Sequence, residues 1–132
     1  MLNCQISLVG AMNRREFEKL LARDKHCLHC GKVDDTLIPQ HRQNRGFGGA
    51  GKKSALNNAS NLIVFCAEAN QLIESNAVWA DRARLFGWKL SRWDDPSVRP
   101  VYDLPNAVYC ILGDDFSRVE LHNYGKGLLS NS

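Results

Sequence analysis

The chain has 132 residues, 44% of them hydrophobic and 23% charged, the proportions of one soluble globular domain rather than a disordered, fibrous or membrane-spanning chain. A net charge of +3 permits nucleic-acid binding without demonstrating it, because local clustering matters more than the total. The short apolar run within MLNCQISLVGAMNRREF has no basic segment before it, which argues against a secretory signal and gives a cytoplasmic expectation.

Residues 1–12 read as a loose lead-in. Asn13 is placed to cap a helix, with Glu16 three residues on completing a capping box. The helix should run to about Asp24, with Phe17, Leu20 and Leu21 on one face. Cys27-Leu28-His29-Cys30-Gly31 forms a tight knuckle. A short strand over 36–38 leads into Pro39-Gln40-His41. A long loop over 42–60 follows, punctuated by Gly46, Gly48, Gly49 and Gly51; a loop of this length inside a small domain is usually functional or disordered.

Residues 61–66 form a short apolar segment, and a helix should cover about 67–74. Asn76 can cap another helix through Trp79, Ala83 and Leu85 that stops at Gly87. Residues 107–112, a turn at Gly113-Asp114-Asp115, and 116–121 read as a β-hairpin. The tail 123–132 should fray.

Five cysteines, Cys4, Cys27, Cys30, Cys66 and Cys110, with one close C-x-x-C pair, fit a reducing compartment and metal binding better than a disulfide framework. The bland alternative is that they are small buried hydrophobes. Arg42, Arg45, Lys52 and Lys53 fall within twelve residues that hold no acidic residue. They read either as a solvated basic loop or as contacts to backbone phosphate. Gly46-Phe47-Gly48-Gly49-Ala50-Gly51-Lys52-Lys53 nearly matches a P-loop. The hydroxyl expected after the lysine is missing unless Ser54 stands in, and no alternation of strands and helices follows, so no nucleotide cofactor is expected.

Taken in order, Cys27-x-x-Cys30, a strand delivering Gln40-His41, a basic loop ending Gly48-Gly49, Asn61 before an apolar run ending at Cys66, and Asn70 early in a helix resemble the HNH (ββα-metal) nuclease family. The likeness is closest to HNH proteins of actinobacterial phages. It spans a motif core of about 26–75, extended by residues 42–49, Gly87-Trp88 and the region 101–120, within a single domain over 1–132 whose remaining helix and hairpin cover about 76–121. The resemblance implies an α+β fold with a ββα-metal core, an N-terminal helix and a C-terminal β-hairpin. It also implies a DNA endonuclease dependent on Mg²⁺ or Mn²⁺, acting in a phage-infected cell.

The family's roles transfer position by position. His41 matches the general base, an imidazole suited to taking a proton near neutral pH. Asn61 matches the asparagine that braces the loop bearing that base, and Gln40 and Asn70 match the divalent-cation ligands. Here the usual Asp is Gln40 and the usual last His is Asn70, so the site carries little charge for a hard cation. That opens the alternative of a catalytically weakened module that binds DNA or a protein. Each assignment has a plainer counterpart: His41 a surface histidine, Asn61 a turn residue beside Asn57 and Asn58, Asn70 an ordinary polar helix position. The family's structural Zn²⁺ would sit on Cys27, Cys30 and Cys66, with Ala69 at the fourth position. His26 and Cys4 are conceivable substitutes, and His29 is awkwardly placed inside the knuckle.

Overall fold

The computed structural model describes residues 12–43 and 57–124. Helix α1, Arg14–Asp24, starts on the expected capping box: the Asn13 side chain accepts from the Glu16 N–H at 2.9 Å, and the Glu16 carboxylate accepts from the Asn13 N–H. It buries Phe17 and Leu20 and stops where Lys25 turns left-handed at φ 71°. Its last residues also enter the core. Arg23 and Asp24 form a bidentate pair at 2.7 and 2.9 Å. Arg23 donates onward to the Ala59 and Leu62 carbonyls, and Asp24 accepts the Val64 N–H. Every charge-bearing atom of this buried pair is thereby matched, which such a pair needs to be tolerated.

Strand β1, Leu37–His41, pairs antiparallel with β2, Leu62–Cys66, in the register Leu37↔Cys66 to His41↔Leu62. All five β2 side chains are buried. The chain passes straight from β2 into helix α2, Ala67–Ser75, for which Cys66 is the N-cap. Asn76 then ends α2 and caps α3, Ala77–Leu85, by accepting the Trp79 N–H. Gly87 follows at φ +76°, where an added Cβ would lie 2.1 Å from the Pro100 carbonyl oxygen. Only glycine fits both the left-handed backbone and the close approach.

A second antiparallel sheet has the order β3, Val101–Asp103; β4, Val108–Leu112; β5, Arg118–Leu121. The expected hairpin is β4–β5, with its second arm starting at Arg118 because Phe116 takes φ 66° in the turn. The sequence reading did not include β3. Main-chain bonds from Leu28 to Val64 and from Leu104 to Leu28 join the two sheets, and one apolar cluster runs through both. No helix among the described residues is long and apolar enough to cross a membrane.

Arg42 corrects one expectation. Its side chain is fully buried and donates to the carbonyls of Gly87, Ser60, Pro96, Arg99 and Pro100 at 2.8 to 3.4 Å. Its donors are spent inside the fold, so it is no phosphate contact. Burial pulls its pKa down to about 9, which still leaves it charged at neutral pH. The shape of the guanidinium matters here, since a lysine has three donors on one point and cannot fan out to carbonyls on three sides. Arg42→Lys is expected to lower stability by about 3 kcal/mol or more, because each buried carbonyl left unpaired costs about 1–3 kcal/mol. Urea unfolding measures this, and a loss under about 1 kcal/mol would contradict the assignment.

Candidate functional site

His41 is the last residue of β1 and is half-buried. The next two residues are fastened to Asn61. The Arg42 N–H donates to the Asn61 backbone carbonyl at 2.8 Å, and the Gln43 N–H to Asn61 Oδ1 at 2.9 Å. Asn61 is completely buried in a 3-10 turn, Ala59–Asn61. The strand end that carries His41 is thus bound by both oxygens of one asparagine. His41 Nε2 lies 3.2 Å from Asn57 Oδ1. With that oxygen as acceptor, Nε2 carries the proton and Nδ1 is the basic nitrogen of the neutral ring.

The brace has outer supports that the sequence reading missed. Asp114, in the β4–β5 turn, accepts from the Ser60 hydroxyl at 2.5 Å and from the Ser60 N–H at 3.2 Å. The hairpin therefore holds the turn that presents Asn61. On the other side, Gln43 Nε2 donates to the Ser91 and Asp94 carbonyls, and the Leu90 N–H donates to the Arg42 carbonyl. The only sequence signal for these was the crowding of Asp, Asn and Ser in turns, which does not name partners. The same 91–99 segment carries Trp93, 85% exposed and beside the Arg92 guanidinium.

Gln40 and Asn70 do come together, one from β1 and one from the first turn of α2. Asn70 Nδ2 donates to Gln40 Oε1 at 2.6 Å. Gln40 is 4% exposed, and its Nε2 is buried with no hydrogen-bond partner among the described residues. The two positions form a neutral amide pair in which an N–H occupies the oxygen that a cation would need. This donor set does not fit a hard divalent ion, which is held by carboxylates and water.

The cysteines form a second constellation. Cys27 follows α1, the knuckle closes through the Gly31 N–H on the Cys27 carbonyl with Gly31 at φ 80°, and Cys66 caps α2. The three Sγ atoms lie within 4.8 Å of one another, and Cys30 and Cys66 are 3.7 Å apart. A zinc–sulfur bond of about 2.3 Å in a tetrahedron requires sulfurs about 3.8 Å apart, so the trio fits a thiophilic metal ion. It is the only set of three or more potential ligands of this kind among the described residues. Burial pushes the Cys27 thiol up to about 12, so a metal must displace a proton to bind.

Ala69, the position at which the resemblance expects a fourth ligand, has no ligand side chain, and its N–H donates to Cys66 Sγ at 3.3 Å. His26 is no substitute ligand: its Nδ1 is 2.9 Å from the Cys27 carbonyl, and its Nε2 faces Asn106 and the buried Asp103. His29 has both ring nitrogens buried with no hydrogen-bond partner among the described residues, and burial lowers its pKa. Cys4 and the loop residues Arg45, Lys52 and Lys53 lie outside the described residues. Arg42, the fourth expected phosphate contact, is withdrawn by its burial.

No family model, curated protein or solved structure matches the chain.

The brace predicts a local effect. In Asn61→Ala the Gln43 N–H loses its acceptor, at a cost of about 1–3 kcal/mol. Hydrogen exchange at the Gln43 amide is expected to accelerate more than at the Ile63 amide in β2. Equal acceleration at both would show global destabilisation in place of a brace.

Proposed function

We propose that this chain is an HNH-type nuclease acting on DNA, with His41 as the general base. The single observation that carries this reading is the double hold of Asn61 on the two residues after His41, on a β-β-α unit whose helix carries Asn70 in its first turn. General-base catalysis requires an imidazole fixed relative to the attacking water, and an asparagine buried behind the strand end supplies that rigidity. His41 would take the proton of water on its imidazole, with Asn57 Oδ1 3.2 Å from Nε2. Arg45, Lys52 and Lys53 would meet the phosphate backbone. Because the Gln40–Asn70 pair does not fit Mg²⁺ or Mn²⁺, no step is assigned to such an ion. We further propose that the metal suited to Cys27, Cys30 and Cys66 is Zn²⁺, tying the knuckle to α2.

The amide pair favours a second reading, in which the same scaffold binds DNA and cleaves it weakly or not at all. Nicking of supercoiled plasmid with Mg²⁺, Mn²⁺ or Ni²⁺ separates the two. For a nuclease, His41→Ala is expected to lower the nicking rate about 10²–10⁴-fold with DNA affinity kept. Cleavage unchanged in that variant would remove His41 from catalysis. DNA retention without nicking under any metal would establish the binding module.

Charge at position 40 gives an independent test. Gln40→Glu keeps an acceptor for Asn70 and replaces the orphaned amine with a charged oxygen. Mn²⁺ is expected to raise the melting temperature of this variant and not of the wild type, since a ligand stabilises the state that binds it. If Mn²⁺ stabilises the wild type equally, the amide pair is already a cation site.

A further inference from the structure

The three tryptophans are used differently. Trp88 has no exposed surface and Trp79 packs partly buried against the core, whereas Trp93 is 85% exposed. Tryptophan is highly buried on average, so a ring left this far in water adds little to the core. The backbone beneath it is nevertheless fixed. The Trp93 N–H donates to Ser91 Oγ at 3.2 Å, the Ser91 N–H to Asp94 Oδ2 at 2.9 Å, and the Asp94 N–H to the Ser91 carbonyl at 3.1 Å. From outside the turn, Gln43 Nε2 donates to the Ser91 and Asp94 carbonyls, on either side of Trp93. Gln43 is in turn held through its N–H by Asn61, two residues beyond His41. The ring therefore stands on a turn tied to the same brace as His41, and a surface already ordered loses little entropy on binding.

The charges beside the ring favour an anionic partner. The exposed Arg92 guanidinium lies 5.2 Å from the ring centroid. The neighbouring acids are engaged locally: Asp94 pairs with Arg99 at 2.7 Å, and Asp95 accepts from the Ser97 N–H and hydroxyl at 3.0 and 2.7 Å. A flat π surface next to a cation matches a nucleotide, whose base can stack and whose phosphate is negative. Inside an intact duplex both faces of a base are covered by its neighbours, whereas an unpaired base has a face to offer. We propose that Trp93 is a stacking platform for an unpaired DNA base, with Arg92 meeting a phosphate beside that base. This rests on the DNA-binding reading above and does not require cleavage.

Fluorescence anisotropy tests this with the full-length protein, a labelled single strand of mixed sequence, and a blunt duplex of the same sequence. Trp93→Ala is expected to weaken single-strand binding about 5- to 150-fold, the worth of one stacked base, and to change duplex binding little. Trp93→Phe keeps a π face and should recover most of that loss. Arg92→Gln should weaken binding and flatten its salt dependence by about one phosphate contact, whereas Trp93→Ala removes no charge and should leave the salt slope unchanged. Intrinsic fluorescence gives a direct readout, because the single strand should quench the part of the emission that Trp93→Phe lacks. The melting temperature of Trp93→Ala should equal that of the wild type. Failure of the wild type to bind either DNA would sink the DNA reading and this one with it. Binding that Trp93→Ala leaves intact, or quenching that persists in Trp93→Phe, would overturn the platform alone. Equal losses on strand and duplex would also overturn it, since the ring would then touch something that base pairing does not hide. A lower melting temperature in Trp93→Ala would place the ring against the chain itself and count against the proposal.

Discussion

A buried arginine surrounded by carbonyls holds this fold together. Arg42 gathers the ends of three otherwise irregular stretches, at Ser60, Gly87 and residues 96–100, around one planar cation. Burying a charge without an opposite charge is costly unless dipoles replace the water it has lost. Here the carbonyls supply those dipoles. The same contacts remove the polar ends of three loops from competition with solvent. The strand end bearing His41 is rigid because the next residue cannot move without breaking this set.

Local chemistry was the most legible part of the sequence. The Asn13 capping box, the Asn76 cap and the left-handed Gly87 each follow from one residue's preferred conformation, and each occurs where its residue type implies. β3 was illegible because Val101–Asp103 is three residues long and buried on both faces, so it has no alternation to read. The burial of Arg42 was illegible for a different reason. Counting basic residues in a stretch reveals their density but not their partners, and its partners lie up to 58 residues away. The meeting of Gln40 with Asn70 was legible as a position. That the two would satisfy each other through a hydrogen bond was not.

The two constellations differ in what they lack. The amide pair at Gln40 and Asn70 is neutral and already internally bonded, so any cation there must first break a 2.6 Å contact. The cysteine trio has no fourth ligand among the described residues, and its Cys66 Sγ accepts only the weak bond of the Ala69 N–H. The donor set of the trio suits a soft ion, whereas that of the amide pair does not suit a hard one. The contrast follows from residue type alone, since amide oxygens are neutral dipoles and cysteine sulfurs become charged, polarisable thiolates when a metal displaces their protons.

The dispersal of the Arg42 partners also limits how the molecule can be divided. Of its five acceptors, only the Ser60 carbonyl belongs to the β1–β2–α2 unit; the other four come from residues 87–100. The unit that carries His41, Asn61 and Asn70 is contiguous in the chain but not autonomous. Excised at the end of α2, it would expose an arginine with one acceptor left and a brace without the hairpin carboxylate that supports it. Grafting this module onto another protein would require the 87–114 segment to travel with it, so the smallest transferable piece is nearly the whole described fold.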